Sequence, residues 1–363
     1  MRHYDCRVSS PRKPRANVLG LGLIGGSLAL ALRRAGYEVS GDDADASKVE
    51  AALARGIIDS AGLRADSEVT FVATPVNTVT EQVERALAGT TGVVTDVGSV
   101  KAPVAAAVRD PRFVAGHPMA GSELDGLDGA DATMFEGAVW VLTPSSDSSD
   151  DAFSTVAGLV SRMGAEVVAL DPRRHDDLVA IVSHVPHLTA ATLMRIADDR
   201  SEEHLALLRL AAGGFRDMTR IASGRPEIWL DICEQNRDSI VGGLDALIGG
   251  LSEMRAIVAD SDRAALLAAL SQARRARMNL PVGAGLPEDL VEVRIPIPDR
   301  PGSAAEVFAL SSDLGVNIYD FEVVHSVEGD RGVMMVVIRA EHSDVFRGGL
   351  MARGFRPAIA PLS

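Results

Sequence analysis

The chain has 363 residues, 47% of them hydrophobic and 24% charged, and a formal net charge of -14. That length calls for two or three domains of a soluble globular protein. The negative charge argues against nucleic acid, whose phosphates need a basic surface, and against anionic membrane. The start of the chain has basic residues but no apolar core of signal-peptide length, and no later run is expected to span a bilayer. Two cysteines, Cys6 and Cys233, make neither a disulfide framework nor a zinc site, so cytoplasm is the expected location and no metal is expected.

Residues 1–14 are polar, with Pro11 and Pro14, and read as a loose tail. From 15 to 170 short apolar runs alternate with helical patterns: strands at 16–19, 38–41, 69–73, 93–96, 113–116 and 138–143, and a helix at 24–35. Strand and helix in alternation predict a parallel sheet covered on both faces, an α/β Rossmann-type nucleotide-binding domain. Residues 171–280 show helical periodicity almost throughout. Apolar stretches at 240–251 and 264–270 predict an all-α domain whose helices pack on several sides and bury themselves in a homodimer. The stretch 278–289, with Gly and two Pro, reads as a linker. Residues 288–363 then give the order β-α-β-β-α with a last strand at 356–360, a small α+β ferredoxin-like module.

Gly20-Leu21-Gly22-Leu23-Ile24-Gly25 follows the first strand and opens the first helix. The first glycine permits a tight turn, the second lets backbone approach a pyrophosphate, and the third lets helix and strand pack closely. The N–H groups at the helix start then face the phosphates. Asp42 and Asp43 end the second strand about 20 residues on, where a carboxylate holds ribose hydroxyls and repels a 2′-phosphate. Asp43 is the better placed, which favours NAD over NADP; the alternative is that these acids cap the helix starting near Ala46. Thr74 and Pro75, closing the third strand, are expected to border the cofactor.

Four further motifs follow in order: Thr95-Asp-Val-Gly-Ser99-Val-Lys101, Gly116-His117-Pro118-Met119-Ala120-Gly121, Ser183-His184-Val-Pro-His187, and Gly214-Phe-Arg-Asp217-Met-Thr-Arg220-Ile. With the glycine loop they resemble the prephenate and arogenate dehydrogenases, the TyrA family, over about residues 16–280. The terminal module, with Asp299-Arg-Pro-Gly302 and Leu314-Gly315-Val-Asn317-Ile, looks like an ACT domain, a regulatory appendage that some family members carry.

The resemblance implies a substrate, prephenate, that loses hydride from the carbon bearing its hydroxyl, loses CO2 and becomes aromatic. Such a reaction needs a hydride acceptor, a base and carboxylate anchors. His117, at a strand end on the edge where such sheets bind ligands, is the candidate base, since imidazole takes a proton near neutral pH. The Ser99 hydroxyl would bond the substrate hydroxyl, hold His117, or cap the helix expected at 100–108. Arg220 is the candidate carboxylate anchor, because guanidinium offers two parallel donors and keeps its charge.

His184 and His187 are three apart and share a helix face, with Pro186 expected in that helix's first turn. By resemblance His187 contacts substrate and His184 supports the pocket. Trp229 reads either as part of a dimer contact near the pocket or as a core aromatic. Glu123 leaves the substrate open: an acid there disfavours the prephenate dianion, pairs with the ammonium of arogenate, or gates the pocket through a salt bridge. By resemblance the terminal module is expected to bind tyrosine as effector, or else to aid assembly, with tyrosine acting at the active site. A non-catalytic NAD-linked amino-acid sensor is the rival from outside enzymes. The presence of His117, Ser99 and Arg220 together argues against it.

Overall fold

The computed structural model describes residues 13–121, 124–199, 213–278, 290–298, 300–325 and 331–361. Residues 279–289 of the expected linker, Asp299 and Glu123 lie outside these residues. The chain divides into two compact units, residues 1–249 and 250–363, each described here by itself.

The first unit is built on an eight-stranded sheet. Its strands are β1 (Arg15–Leu19), β2 (Glu38–Asp42), β3 (Ser60–Ala61), β4 (Val69–Val72), β5 (Val93–Asp96), β6 (Phe113–Pro118), β7 (Val139–Thr143) and β8 (Glu166–Ala169), in the order β3-β2-β1-β4-β5-β6-β7-β8. Residues such as Val18, Phe71, Val94 and Trp140 are fully buried between covering helices, as a sheet packed on both faces requires. Two short strands, β3 and β8, are additions to the six expected. The sheet is also not wholly parallel, because β7 runs antiparallel to β6. Chain order explains it: loops and one 3-10 turn, Gly126–Asp128, join β6 to β7, and among the described residues no crossover helix lies between them. β6 is shared in two halves. Phe113 and Val114 pair with β5, whereas Ala115–Pro118 pair with β7, with His117 opposite Val141.

Helix α1 (Leu23–Arg34) starts at Gly22 with no side-chain cap and no acid in its first turn. Gly20 has φ +92°, and a Cβ there would lie 2.4 Å from the Ala73 carbonyl oxygen. A Cβ on Gly25 would sit 1.8 Å from the Gly20 oxygen, while one on Gly22 would meet nothing within 4 Å. Two of the three glycines are therefore required by packing, and the third leaves backbone open to an approaching group.

The helical part of this unit is led by α2 to α5 (Ala46–Ala54, Val79–Gly89, Ala102–Ala107, Asp150–Arg162) between strands, then by a helix running unbroken from Pro172 to Asp199. It comprises α6 (Pro172–Val179), a π-helical segment Ala180–His184, and α7 (Val185–Asp199). Pro186 therefore lies inside a continuous helix rather than in the first turn of a new one. Proline lacks an N–H and crowds the preceding turn, and a π segment loosens the ladder just before it. By length and composition this helix could cross a membrane, which corrects the expectation that no run would. Its buried His175, Asp176 and His184 pack into the protein instead.

Helices α8 (Gly213–Thr219), α9 (Pro226–Gln235) and α10 (Arg237–Ala259) follow; α10 runs on into the second unit, which continues with α11 (Arg263–Met278). Within one protomer these helices are not packed on several sides. Only Ile240 and Gly243 are buried along α10, and among the described side chains of α11 none is. Ile248, Leu251, Val258, Leu267 and Leu270 are exposed.

The remainder of the second unit has β9 (Leu290–Pro298), α12 (Ser303–Asp313), β10 (Asp320–His325), β11 (Arg331–Arg339), α13 (Ser343–Ala352) and β12 (Ala358–Pro361). The strand order β10-β11-β9-β12, all antiparallel, is the ferredoxin-like arrangement. Alternate residues Val293, Ile295 and Ile297 of β9 face Val307, Leu310, Phe346 and Leu350 in its core.

The glycine loop gives a first test. Gly25→Ala forces the α1 start away from Gly20, so NAD affinity should fall by at least about tenfold in a fluorescence titration. Wild-type affinity would mean that the loop does not set the dinucleotide site.

Candidate active site

The glycine loop and the acid after β2 meet as expected. Asp43 Oδ2 accepts the Leu21 N–H at 2.7 Å, so the carboxylate sits against the loop. Asp42 instead pairs with Arg85 at 2.5 Å. Neither caps the next helix, because the Asp45 side chain does so through the Ser47 N–H. Thr74 and Pro75 follow β4, beside the Ala73 carbonyl that a Cβ on Gly20 would meet, and the buried Thr74 Oγ1 has no hydrogen-bond partner among the described residues. The uncapped α1 start, the open side of Gly22 and Asp43 together fit a dinucleotide.

His117 lies within β6, one residue short of its end, half-buried at the same strand edge. Gly116, the residue before it, is held through both its N–H and its carbonyl. The Gly116 N–H donates to Asp96 Oδ1 at 3.2 Å, and Lys101 Nζ donates to the Gly116 oxygen at 2.8 Å. Lys101 also pairs with Asp96, and both side chains are wholly buried. Asp96 Oδ2 accepts the Gly98 N–H at 2.9 Å as well. Burial pulls the Lys101 pKa down from its ordinary value, opposed by Asp96 and Asp176. The sequence reading saw Lys101 only as part of a motif; an ion pair inside the sheet edge is what it builds.

The His117 ring is held by residues the sequence reading missed. Its Nδ1 lies 2.9 Å from Nε2 of His175, and His175 Nδ1 lies 2.7 Å from Asp176 Oδ1. Asp176 in turn accepts the Lys101 and Ala102 N–H groups, each at 2.8 Å. Asn236 donates to the Asp176 carbonyl at 2.9 Å and lies 3.3 Å from His184 Nδ1. Within the polar run Arg173-Arg174-His175-Asp176-Asp177 only His175 and Asp176 are buried. A groove of about 670 Å³ is lined by Asp176, Asp177, Asn236 and Gly243 but not by His117.

Burial first, then the neighbouring His175, Lys101 and His184, hold the His117 pKa well below 6.5. His184, nearly fully buried, is lowered to about 4, chiefly by burial. His187 is also lowered by burial. Trp229 stacks on His187 with ring centroids 3.6 Å apart and meets His184 edge-on at 5.9 Å. Trp229 therefore braces both histidines.

Ser99 is half-buried on the loop after β5. It does not cap the following helix, which starts at Ala102 with Lys101 in the cap position, and among the described residues no hydrogen bond joins it to His117. Arg220 is exposed and opens a 3-10 turn, Arg220–Ser223, after α8. That turn lies against the His187 helix, since a Cβ on Gly224 would be 3.6 Å from His187 Cε1. Among the described residues no group of three His, Cys, Asp or Glu side chains is placed to hold a metal.

Comparison with known proteins decides the family. The family model for the nucleotide-binding domain of prephenate dehydrogenase matches residues 28–169, and that for its dimerization domain matches residues 171–272. Prephenate dehydrogenase of Bacillus subtilis is 33% identical over 341 residues, covering 89% of this chain and 91% of its own. The chain belongs to the prephenate dehydrogenase family. Among solved structures, prephenate dehydrogenase of A. aeolicus in complex with hydroxyphenyl propionate and NAD+ aligns with TM-score 0.70 and 27% identity, covering 75% of this chain and 100% of that one. Synechocystis arogenate dehydrogenase aligns with TM-score 0.63 and 29% identity, covering 72% and 98%.

The buried pair offers a stability test. Lys101→Met leaves Asp96 buried without its cation, and should cost about 3–5 kcal/mol in denaturant unfolding. A loss below about 1 kcal/mol would show that Asp96 finds water or another partner.

Proposed function

We infer that the enzyme catalyses NAD-dependent oxidative decarboxylation of prephenate to 4-hydroxyphenylpyruvate. The observation that carries this reading is a histidine, His117, held at the ligand-binding edge of a dinucleotide fold in a chain of this family. The nicotinamide of NAD supplies the hydride acceptor when bound; Gly20, Gly22, Leu23, Ile24, Gly25, Asp43, Thr74 and Pro75 would hold the cofactor.

His117 Nε2 takes the proton of the substrate 4-hydroxyl as hydride leaves the carbon that bears it. The C–O bond becomes a carbonyl, the ring carboxylate departs as CO2, and its electron pair passes through the ring to that oxygen. The same imidazolium can return the proton to the oxygen, leaving a phenol and no net proton change. A base for this work must be neutral at working pH, and the lowered pKa of His117 meets that need. Arg220 pairs with a substrate carboxylate, His187 contacts substrate, His184 and Trp229 support the wall, and Ser99 bonds the substrate hydroxyl. Glu123 is the residue whose charge bears on the choice between prephenate and arogenate.

Two assembly features belong to the same reading. The exposed apolar side chains of α10 and α11 are covered in a homodimer. The ferredoxin-like module is an ACT domain that binds tyrosine. Its support is the left-handed Gly302, φ +95°, opening α12, and a buried Ser303 Oγ with no partner among the described residues.

With NAD and prephenate, NADH absorbance should rise, and more readily than with arogenate or NADP. His117→Asn should lower kcat by about 10²–10⁴-fold. For wild type, the acid limb of kcat/KM should fall below pH 6.5, because protonation of a base with a lowered pKa is delayed to lower pH. Tenfold better kcat/KM with arogenate, or an active His117→Asn enzyme, would reverse the corresponding assignment. Deleting residues 288–363 should abolish tyrosine inhibition; undiminished competitive inhibition would place tyrosine in the active site.

A further inference from the structure

His117 stands in a chain of three side chains drawn from two elements, β6 and α6. Each hydrogen bond in the chain constrains the next. A carboxylate only accepts, so Asp176 Oδ1, at 2.7 Å, requires the proton of His175 on Nδ1. Neutral His175 then presents a lone pair at Nε2. The contact at 2.9 Å to His117 Nδ1 is completed only if His117 carries its own proton on Nδ1. The remaining nitrogen of His117, Nε2, is left as the bare acceptor.

The anchor of this chain is rigid. Asp176 is 3% exposed and His175 is fully buried. Asp176 is bound by the Lys101 and Ala102 N–H groups, and its backbone carbonyl is bound by Asn236. The two imidazole rings meet edge to face, with centroids 5.1 Å apart and an interplanar angle of 74°. This fixes the His117 ring in rotation as well as in tautomer.

We propose that His175 and Asp176 are positioning residues for the reaction, selecting the Nδ1–H tautomer of His117 and holding its Nε2 lone pair ready for the substrate hydroxyl. The proposal rests on the reading of His117 as the base. It adds that the base works only in one of its two neutral forms, and that Asp176, through His175, sets which form that is. When His117 gains a proton, its Nδ1–H stays bonded to His175. The positive charge is then spread toward a carboxylate whose other contacts are two backbone donors. The groups around the ring are Asp96 and Lys101 at the end of β5 and the start of α4, His175 and Asp176 on α6, and His184 on the π segment. Of these, His175 is the one that touches the ring.

The test replaces His175 in two ways. His175→Phe keeps a ring in the buried space and removes the acceptor. His175→Gln can accept from His117 with its carbonyl and donate to Asp176 with its amide. His175→Phe should lower kcat by about 100-fold or more while KM for prephenate and NAD stay within about threefold. His175→Gln should recover at least about tenfold of that loss. Its acid limb of kcat/KM should move to lower pH than wild type, because an amide carbonyl is a weaker acceptor for the imidazolium Nδ1–H than an imidazole backed by a carboxylate. In a His117→Asn background, His175→Phe should have no further effect.

Equal losses in both variants with an unmoved acid limb would overturn the proposal in favour of simple packing. Wild-type kcat in His175→Phe would overturn it as well. Should His175→Phe not fold, the acid limb of His175→Gln decides alone, a shift to lower pH supporting the proposal and an unchanged or raised limb overturning it. If His117→Asn itself retains activity, the base reading has failed. If His117→Asn is inactive and His175→Phe is not, only the positioning role has failed.

Discussion

The Gly116 peptide is clamped from both sides by a buried ion pair, and the geometry of the site hangs on that clamp. Asp96 receives its N–H and Lys101 binds its carbonyl, while Asp96 and Lys101 neutralise each other out of contact with water. Removing two charges from water is unfavourable, and only close geometry with further hydrogen bonds offsets it. Here those bonds go to the backbone on which the proposed base is mounted. The stability of the sheet edge and the placement of His117 are thus one problem with one solution.

The mixed sheet extends the same constraint. A strand ending at Val114, where pairing with β5 stops, would leave His117 on a loose loop. The antiparallel pairing with β7 carries order on to Pro118 and locks His117 opposite Val141. Below the ring, α6 brings in His175 and Asp176, and Asp176 is tied back to the start of α4 beside Lys101. The base is therefore fixed through its backbone by one network and through its ring by another, and both meet at residues 101 and 102. On the helical side Trp229 performs a parallel service, lying flat on His187 and edge-on to His184.

Much of this was legible in the sequence because it is local. A glycine loop between strand and helix, an acid at the next strand end and alternating apolar residues in the terminal module each declare themselves within a few residues. The residues missed act across long separations. Lys101 meets Gly116, and His175 meets His117 from 58 positions away, so no window of the chain shows either contact. Polarity misled as well: an Arg-Arg-His-Asp-Asp run has the look of a solvated face, yet two of its members are buried. The antiparallel β7 was hidden for a similar reason, since a strand's own pattern does not reveal its partner's direction. Pro186 suggested a helix start, whereas the π segment before it lets the helix continue.

The central claim is that His117 is a neutral imidazole with its proton on Nδ1 and a bare Nε2. The direct measurement is ¹⁵N NMR of the histidine-labelled protein at neutral pH, with His117 assigned by its loss in His117→Asn. A protonated, pyrrole-type Nδ1 and an unprotonated, pyridine-type Nε2 are the predicted result. The reverse tautomer, or an imidazolium with both nitrogens protonated, would contradict the account.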